Sequence, residues 1–177
     1  MKAARKMDLK GYLALEAESP IRHQLVEGGL WGMAGASRAH NALLTRLLLR
    51  IAPAALAMGC EAFAADRRLK TAEDTVFYPD LMVVCGPAPS PHYEEDACLL
   101  MEIPSESTEA LDRGRKLAHY LRLPSLRTYL LVDSRFREVE GYFRGEGGFR
   151  HRVFLPGEEV KLPCPPSASG WKSYTKE

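Results

Sequence analysis

Asp80, Glu102 and Lys116 are the residues whose types and spacing point to chemistry. Asp80 follows Pro79 at the head of an apolar run ending at Cys85, and Glu102 sits near the end of another, residues 97–103. A carboxylate at the end of a buried strand is costly to desolvate without a partner. One divalent cation would serve both, since hard ions such as Mg²⁺ or Mn²⁺ take oxygen ligands and retain several waters. The backbone carbonyl of Ile103, one residue past Glu102, is a candidate third ligand. For each carboxylate the alternative is a turn cap or an arginine partner.

The segment after Glu102 adds a cation. Asp112, Lys116 and Tyr120 are spaced i, i+4, i+8, which puts them on one helix face, apart from Leu117 and Leu121. From there Lys116 can orient or deprotonate an attacking water, or stabilise charge on a phosphate. The alternative is an Asp112–Lys116 surface ion pair of little energetic worth. Ser105, Ser107 and Thr108 are expected to cap this helix. His40 is either a site residue or an ordinary helix-face histidine. Gln24 and Glu27 fall in an early hairpin, where Glu27 is the candidate for a further carboxylate. Trp31 and the aromatic residues of 142–154 read as core or edge packing rather than base-stacking platforms.

The elements that must position these groups follow from periodicity and breakers. Residues 8–18 predict a helix, 22–34 a hairpin around Gly28-Gly29, and Ser37 caps a helix through Met58 that Pro53 should kink or end. Strands are expected at 60–69, 80–85, 97–103 and 128–133, with a Pro-rich loop at 86–96. A helix over about 108–122 links the last two strands, and an outer hairpin pairs 137–144 with 148–154. The pattern is α/β (α+β): a central mixed β-sheet flanked by α-helices. Residues 1–163 read as a single domain and 164–177 as an irregular tail.

The 177 residues suffice for one domain with a real core, and an apolar fraction of 46% with 27% charged residues is ordinary for a soluble globular chain. No apolar run reaches the roughly 18 residues of a membrane span. The basic N-terminus lacks a following secretory-type apolar core, so no signal peptide and a cytoplasmic location are expected. Cys60, Cys85, Cys98 and Cys164 are scattered without a CxxC pair and read as small buried hydrophobes in a reducing cytosol, not as a zinc site. The net charge of +1 conceals an asymmetry. Residues 71–110 hold nine Asp/Glu and no Lys/Arg, whereas 112–152 hold ten Lys/Arg and five Asp/Glu. Such a junction can hold a cation beside a phosphate-binding surface, although chance and solvated loops account for most of these charges.

In order, Pro79-Asp80 in YPDLMVV, Glu102 followed by Ser105, Ser107 and Thr108, then Asp112, Lys116, Tyr120 and a strand ending in Val132-Asp133 resemble the core of the Uma-two-type restriction endonucleases, a branch of the PD-(D/E)XK nuclease superfamily. The resemblance is strong over residues 78–144 and extends from about 20 to 163. It implies a restriction-endonuclease-like fold and Mg²⁺-dependent phosphodiester hydrolysis in DNA, with Asp80 and Glu102 binding metal. The superfamily lysine normally lies two residues after the glutamate, where this chain has Pro104, so Lys116 would serve instead. In the stretch HQLVEGGL, Gln24 stands where the family carries glutamate, and Glu27 where it carries aspartate. Gln24 can coordinate through its carbonyl oxygen but brings no charge. The competing expectations are therefore an active endonuclease, working as a dimer to cut both strands, and a weakened or inactive nuclease-fold module that binds nucleic acid or protein. A hydrolase of small phosphoesters on the same fold is a third.

Overall fold

The computed structural model describes residues 6–165 and 171–172. Helix α1 (Leu9–Glu18) is capped by Asp8, whose carboxylate accepts from the Gly11 amide at 2.8 Å. It leads to the hairpin β1 (His23–Val26) and β2 (Gly29–Gly32). The turn is the two-residue loop Glu27-Gly28, one position earlier than the glycine pair suggests. Both residues have positive φ, 52° and 80°, as the twist of a tight two-residue hairpin demands.

Ser37 caps α2 (Arg38–Ala57), its hydroxyl accepting from the His40 amide at 3.1 Å. Pro53 lies inside this helix and does not end it. Leu44, Leu47, Ile51 and Ala55 keep one buried face on both sides of it, so tertiary packing overrides the missing hydrogen bond. Strands β3 (Glu61–Ala64), β4 (Leu69–Ala72), β5 (Thr75–Phe77), β6 (Leu81–Val84) and β7 (Leu99–Glu102) follow. β4 is a strand of its own, which the weak alternation over 60–69 does not separate from β3.

The next helix, α3, spans Glu109 to Tyr120 in three parts: an α-turn (Glu109–Leu111), a π-helical stretch (Asp112–Lys116) and a closing α-turn (Leu117–Tyr120). Thr108 does not cap it through its side chain. Its Oγ1 instead accepts from the Ser105 amide at 3.1 Å, folding the loop on itself. Strands β8 (Thr128–Asp133), β9 (Glu138–Gly145), β10 (Gly148–Phe154), β11 (Glu159–Val160) and β12 (Trp171–Lys172) complete the order. β12 pairs antiparallel with β11, so the segment expected to be irregular contains a strand.

The central sheet has six strands in the order β10-β9-β8-β7-β6-β3. It is mixed, as expected: β7 and β8 are parallel, joined by the α3 crossover, and the other pairings are antiparallel. Alternation along the central strands divides the core. Leu81, Val83, Leu99, Met101, Leu130 and Val132 pack against α2 on one face. Met82, Val84, Leu100, Tyr129 and Leu131 face Tyr120, Leu123 and Leu126 on the other. A second sheet, β2-β1-β5-β4, covers this latter side, contributing Val26, Leu69 and Phe77 to the same cluster. No helix among the described residues is long and apolar enough to cross a membrane.

The reading of the four cysteines as small buried hydrophobes with free thiols is overturned: Cys60 is bonded to Cys85 and Cys98 to Cys164, Cys85 is exposed, and the two bridges touch, with Cys85 Sγ 3.7 Å from Cys98 Sγ. The chain brings them together from four segments distant in sequence, which the absence of a local CxxC pair concealed.

Candidate active site

The register of β6 and β7 builds the site. Leu81 pairs with Met101, so one step outward Asp80 and Glu102 stand beside each other at the same end of the sheet. The Ile103 amide donates to Asp80 Oδ2 at 2.7 Å and fixes that carboxylate against the end of β7. Asp80 Oδ1 lies 3.1 Å from His40 Nε2. His40 therefore belongs to the site, brought from the first turn of α2 by the cap at Ser37.

Glu102 is in alternation with Leu100 and faces α3. It is buried, and its Oε1 accepts from the Tyr120 hydroxyl at 2.7 Å and lies 3.0 Å from the Lys116 ammonium. Lys116 also meets Asp112 Oδ1 at 2.9 Å. Both members of that i, i+4 pair are buried, so it is no surface ion pair. Because residues 112–116 are π-helical, the helical spacing that groups Asp112, Lys116 and Tyr120 is loosened locally, yet all three converge around Glu102. Such π-turns concentrate at functional positions. Tyr129, on β8, anchors this one by donating to the Asp112 carbonyl at 3.0 Å. Sequence reasoning passes over Tyr129, which looks like any aromatic residue in a buried strand.

The electrostatics are those of crowded like charge. Burial, then the nearby Asp112 and Asp80 carboxylates, push the Glu102 carboxyl well above its ordinary range, against the opposing pull of Lys116 and Tyr120. Burial disfavours the Lys116 ammonium, but Glu102, Asp112 and Asp80 together outweigh it and hold its pKa above the ordinary value. Lys116 is thus a fixed cation. Hydrogen bonding to Asp80 raises the His40 imidazole, with burial opposing and the Asp80 and Asp112 charges assisting. Burial, with the Glu102 charge next, raises the Tyr120 phenol well above its ordinary value, so Tyr120 acts as a donor.

Two early residues separate. Gln24 is buried on β1 in alternation with Val26, the face that packs toward Tyr120 and Leu131, and its Oε1 has no hydrogen-bond partner among the described residues. Glu27, turned outward by its positive φ, is half exposed and lies 3.8 Å from Arg115 and 3.9 Å from His119. Those contacts take it to the outer face of α3, and the structure does not bring it to Asp80 and Glu102. Trp31 is exposed on the edge strand β2 beside Arg115, whose guanidinium lies 5.8 Å from its ring, so of core and edge packing it takes the edge alternative.

The donor set fits a hard divalent cation. Asp80, Glu102 and Asp112 gather around Lys116 and His40, three carboxyl groups in a place where charge is costly. A buried amide oxygen without a partner adds a neutral oxygen donor on the same side of the sheet.

The sequence matches the Uma2 family, described as "Putative restriction endonuclease", over residues 9–174. The chain belongs to the Uma2 family. Among relatives of this Uma2 chain are two proteins of Synechocystis sp. (strain ATCC 27184 / PCC 6803 / Kazusa). The uncharacterized protein slr1290 is 30% identical over 146 residues, 81% of this chain and 77% of that protein. The uncharacterized protein sll1609 is 34% identical over 142 residues, 74% of this chain and 77% of that protein. The crystal structure of a "putative nuclease belonging to DUF820" from Anabaena variabilis superposes with a TM-score of 0.76 at 18% identity, covering 94% of each chain. The Uma2 chain accordingly has the restriction-endonuclease-like fold expected from its motifs.

Proposed function

We propose that this chain is a Mg²⁺- or Mn²⁺-dependent endonuclease that hydrolyses phosphodiester bonds in DNA, in the cytoplasm and as a homodimer. The observation that carries this reading is the pairing of Asp80 and Glu102 across β6 and β7, with Lys116 held against Glu102. Asp80 and Glu102 would hold the metal, with the Ile103 carbonyl and the Gln24 amide oxygen as further oxygen donors. When bound, the ion neutralises charge on the scissile phosphate and lowers the pKa of a coordinated water.

The remaining roles belong to the protein's own groups. Lys116 stays protonated, so it stabilises negative charge building on the phosphate and positions the attacking water, rather than accepting that water's proton. Tyr120 and Lys116 orient the Glu102 carboxylate. His40 and the Ile103 amide orient Asp80. A homodimer would place two such sites on the two strands of a duplex.

Gln24 favours a second reading, in which the fold is retained and turnover is weak, because a neutral amide replaces the acid that the family resemblance leads one to expect. Cleavage of supercoiled plasmid with Mg²⁺ or Mn²⁺ decides between them, with Asp80→Ala and Glu102→Ala as comparisons. Activity in the wild type that both substitutions abolish supports the endonuclease. Equal cleavage by all three proteins, or by none, removes it, and retained binding of labelled DNA in the latter case supports the binding module.

A further inference from the structure

At the end of the central sheet opposite the Asp80–Glu102 pair, the chain gathers all of its cysteines. Cys60 lies between α2 and β3, Cys85 directly follows β6, Cys98 directly precedes β7, and Cys164 follows β11. The sulfurs of Cys85, Cys98 and Cys164 all lie within 4.8 Å of one another, and Cys60, bonded to Cys85, stands just outside that trio as the fourth sulfur. Among the described residues this is the one trio of His, Cys, Asp or Glu side chains so closely grouped.

Four thiolates that hold one ion must share a locus, and the chain brings these four cysteines to one end of the sheet. The separations between bridges are informative. Cys85 Sγ is 3.7 Å from Cys98 Sγ and 4.0 Å from Cys164 Sγ. In a tetrahedral site with zinc–sulfur bonds of about 2.3 Å, ligand sulfurs stand about 3.8 Å apart. Cys60, Cys98 and Cys164 are buried while Cys85 is exposed, which gives a closed coordination shell with an entry path.

We propose that Cys60, Cys85, Cys98 and Cys164, in their thiol state, form a structural tetrathiolate site for one Zn²⁺. It ties the segment after β11 to the ends of β6, β7 and α2. Each S–H bond is replaced by an S–Zn bond, and four protons leave to solvent. The two S–S bonds are the oxidised, metal-free form. Their conversion to four thiols takes four electrons from an external thiol or phosphine reductant, which is oxidised to disulfide or phosphine oxide, and four protons from the thiol or from water. The site is separate in chemistry from the oxygen-donor site: soft thiolates select zinc, and no open coordination position is left for a substrate.

The test uses the full-length, untagged chain, reduced with a phosphine under anaerobic conditions, loaded with Zn²⁺ or Co²⁺ and freed of excess metal by gel filtration. One equivalent of metal is expected. The cobalt form should show thiolate-to-metal charge transfer and strong tetrahedral d–d bands, and Zn²⁺ should slow alkylation of all four cysteines. Cys85→Ser, at the exposed ligand, should abolish the charge-transfer bands, while Asp80→Ala should leave them unchanged. A reduced chain that is folded by circular dichroism, has four titratable thiols and retains no metal overturns the proposal. So does a cobalt spectrum that Cys85→Ser leaves intact, or wild-type thiols that zinc does not protect.

Discussion

The Lys116 ammonium lies 3.0 Å from Glu102 Oε1, and both side chains are buried. Removing one member of such a pair leaves an uncompensated charge in the interior, which costs about 3–5 kcal/mol. Lys116→Met should therefore destabilise the fold on that scale. Glu102→Gln in the same chain should recover a large part, because the orphaned carboxylate is then gone. Urea unfolding of the wild type, both single variants and the double variant measures the coupling. A double variant as unstable as the sum of the singles would show that the ion pair is not what holds these two segments together.

Much of this arrangement was legible in the sequence. A short apolar run that begins at Asp80 and another that closes on Glu102 mark the right strands, and the helical spacing of Asp112, Lys116 and Tyr120 marks the right face. The rest depended on contacts distant in sequence. His40 joins Asp80 from a helix 40 positions earlier, and nothing local distinguishes it from a solvated histidine. The outward turn of Glu27 follows from a backbone dihedral that the glycine pair beside it obscured. The cysteine cluster needs the whole topology, since β6 and β7 must run antiparallel before Cys85 and Cys98 can meet.

Divalent metal should stabilise the folded chain. An ion that binds the native state and not the unfolded one adds about 2.7 kcal/mol at a concentration 100 times its Kd. The Tm should rise with Mg²⁺ or Mn²⁺ in the wild type and should not rise in Asp80→Asn or Glu102→Gln. Calorimetric titration gives the same answer at fixed temperature. A rise of equal size in all three proteins would place the bound ion elsewhere.

The His40–Asp80 contact carries a pH dependence. His40 is raised from its ordinary value of 6.5, chiefly by its hydrogen bond to Asp80. Its contribution to stability is thus fully present below the unfolded imidazole pKa and is lost as pH rises through the raised folded value. Metal competes with the imidazolium for the same carboxylate. Mg²⁺ affinity should consequently increase with pH across that interval, by up to about tenfold per pH unit for one displaced proton. His40→Asn should flatten this part of the profile. An unchanged slope in the variant would assign the displaced proton to another group.

Tyr120 donates to Glu102 Oε1 at 2.7 Å, and both groups are buried. A hydrogen bond to a charged acceptor contributes about 1.5–3 kcal/mol. Tyr120→Phe keeps the ring that packs edge-on against Phe77 and Tyr129 and removes the hydroxyl alone. Stability should fall by roughly that amount. Metal affinity should weaken as well, because the unassisted Glu102 protonates more readily. Loss of stability without loss of metal affinity would confine the Tyr120 hydroxyl to a structural hydrogen bond.

Gln24 offers the sharpest probe of whether the site has lost strength. Its Oε1 is buried without a partner on the face of β1 that packs toward Tyr120. Replacing the amide by a carboxylate, Gln24→Glu, adds a charged oxygen donor of nearly the same shape. Without metal the added charge joins an already acidic cluster and should lower stability. With Mg²⁺ or Mn²⁺ it should be neutralised, so affinity should rise by roughly tenfold or more, the scale on which groups around a metal tune its binding. Plasmid cleavage should increase in parallel. The sign reversal between metal-free and metal-loaded protein is the diagnostic feature, because a merely disruptive substitution would destabilise both. A Gln24→Glu chain that binds metal no more tightly than the wild type would show that this side chain does not reach the ion.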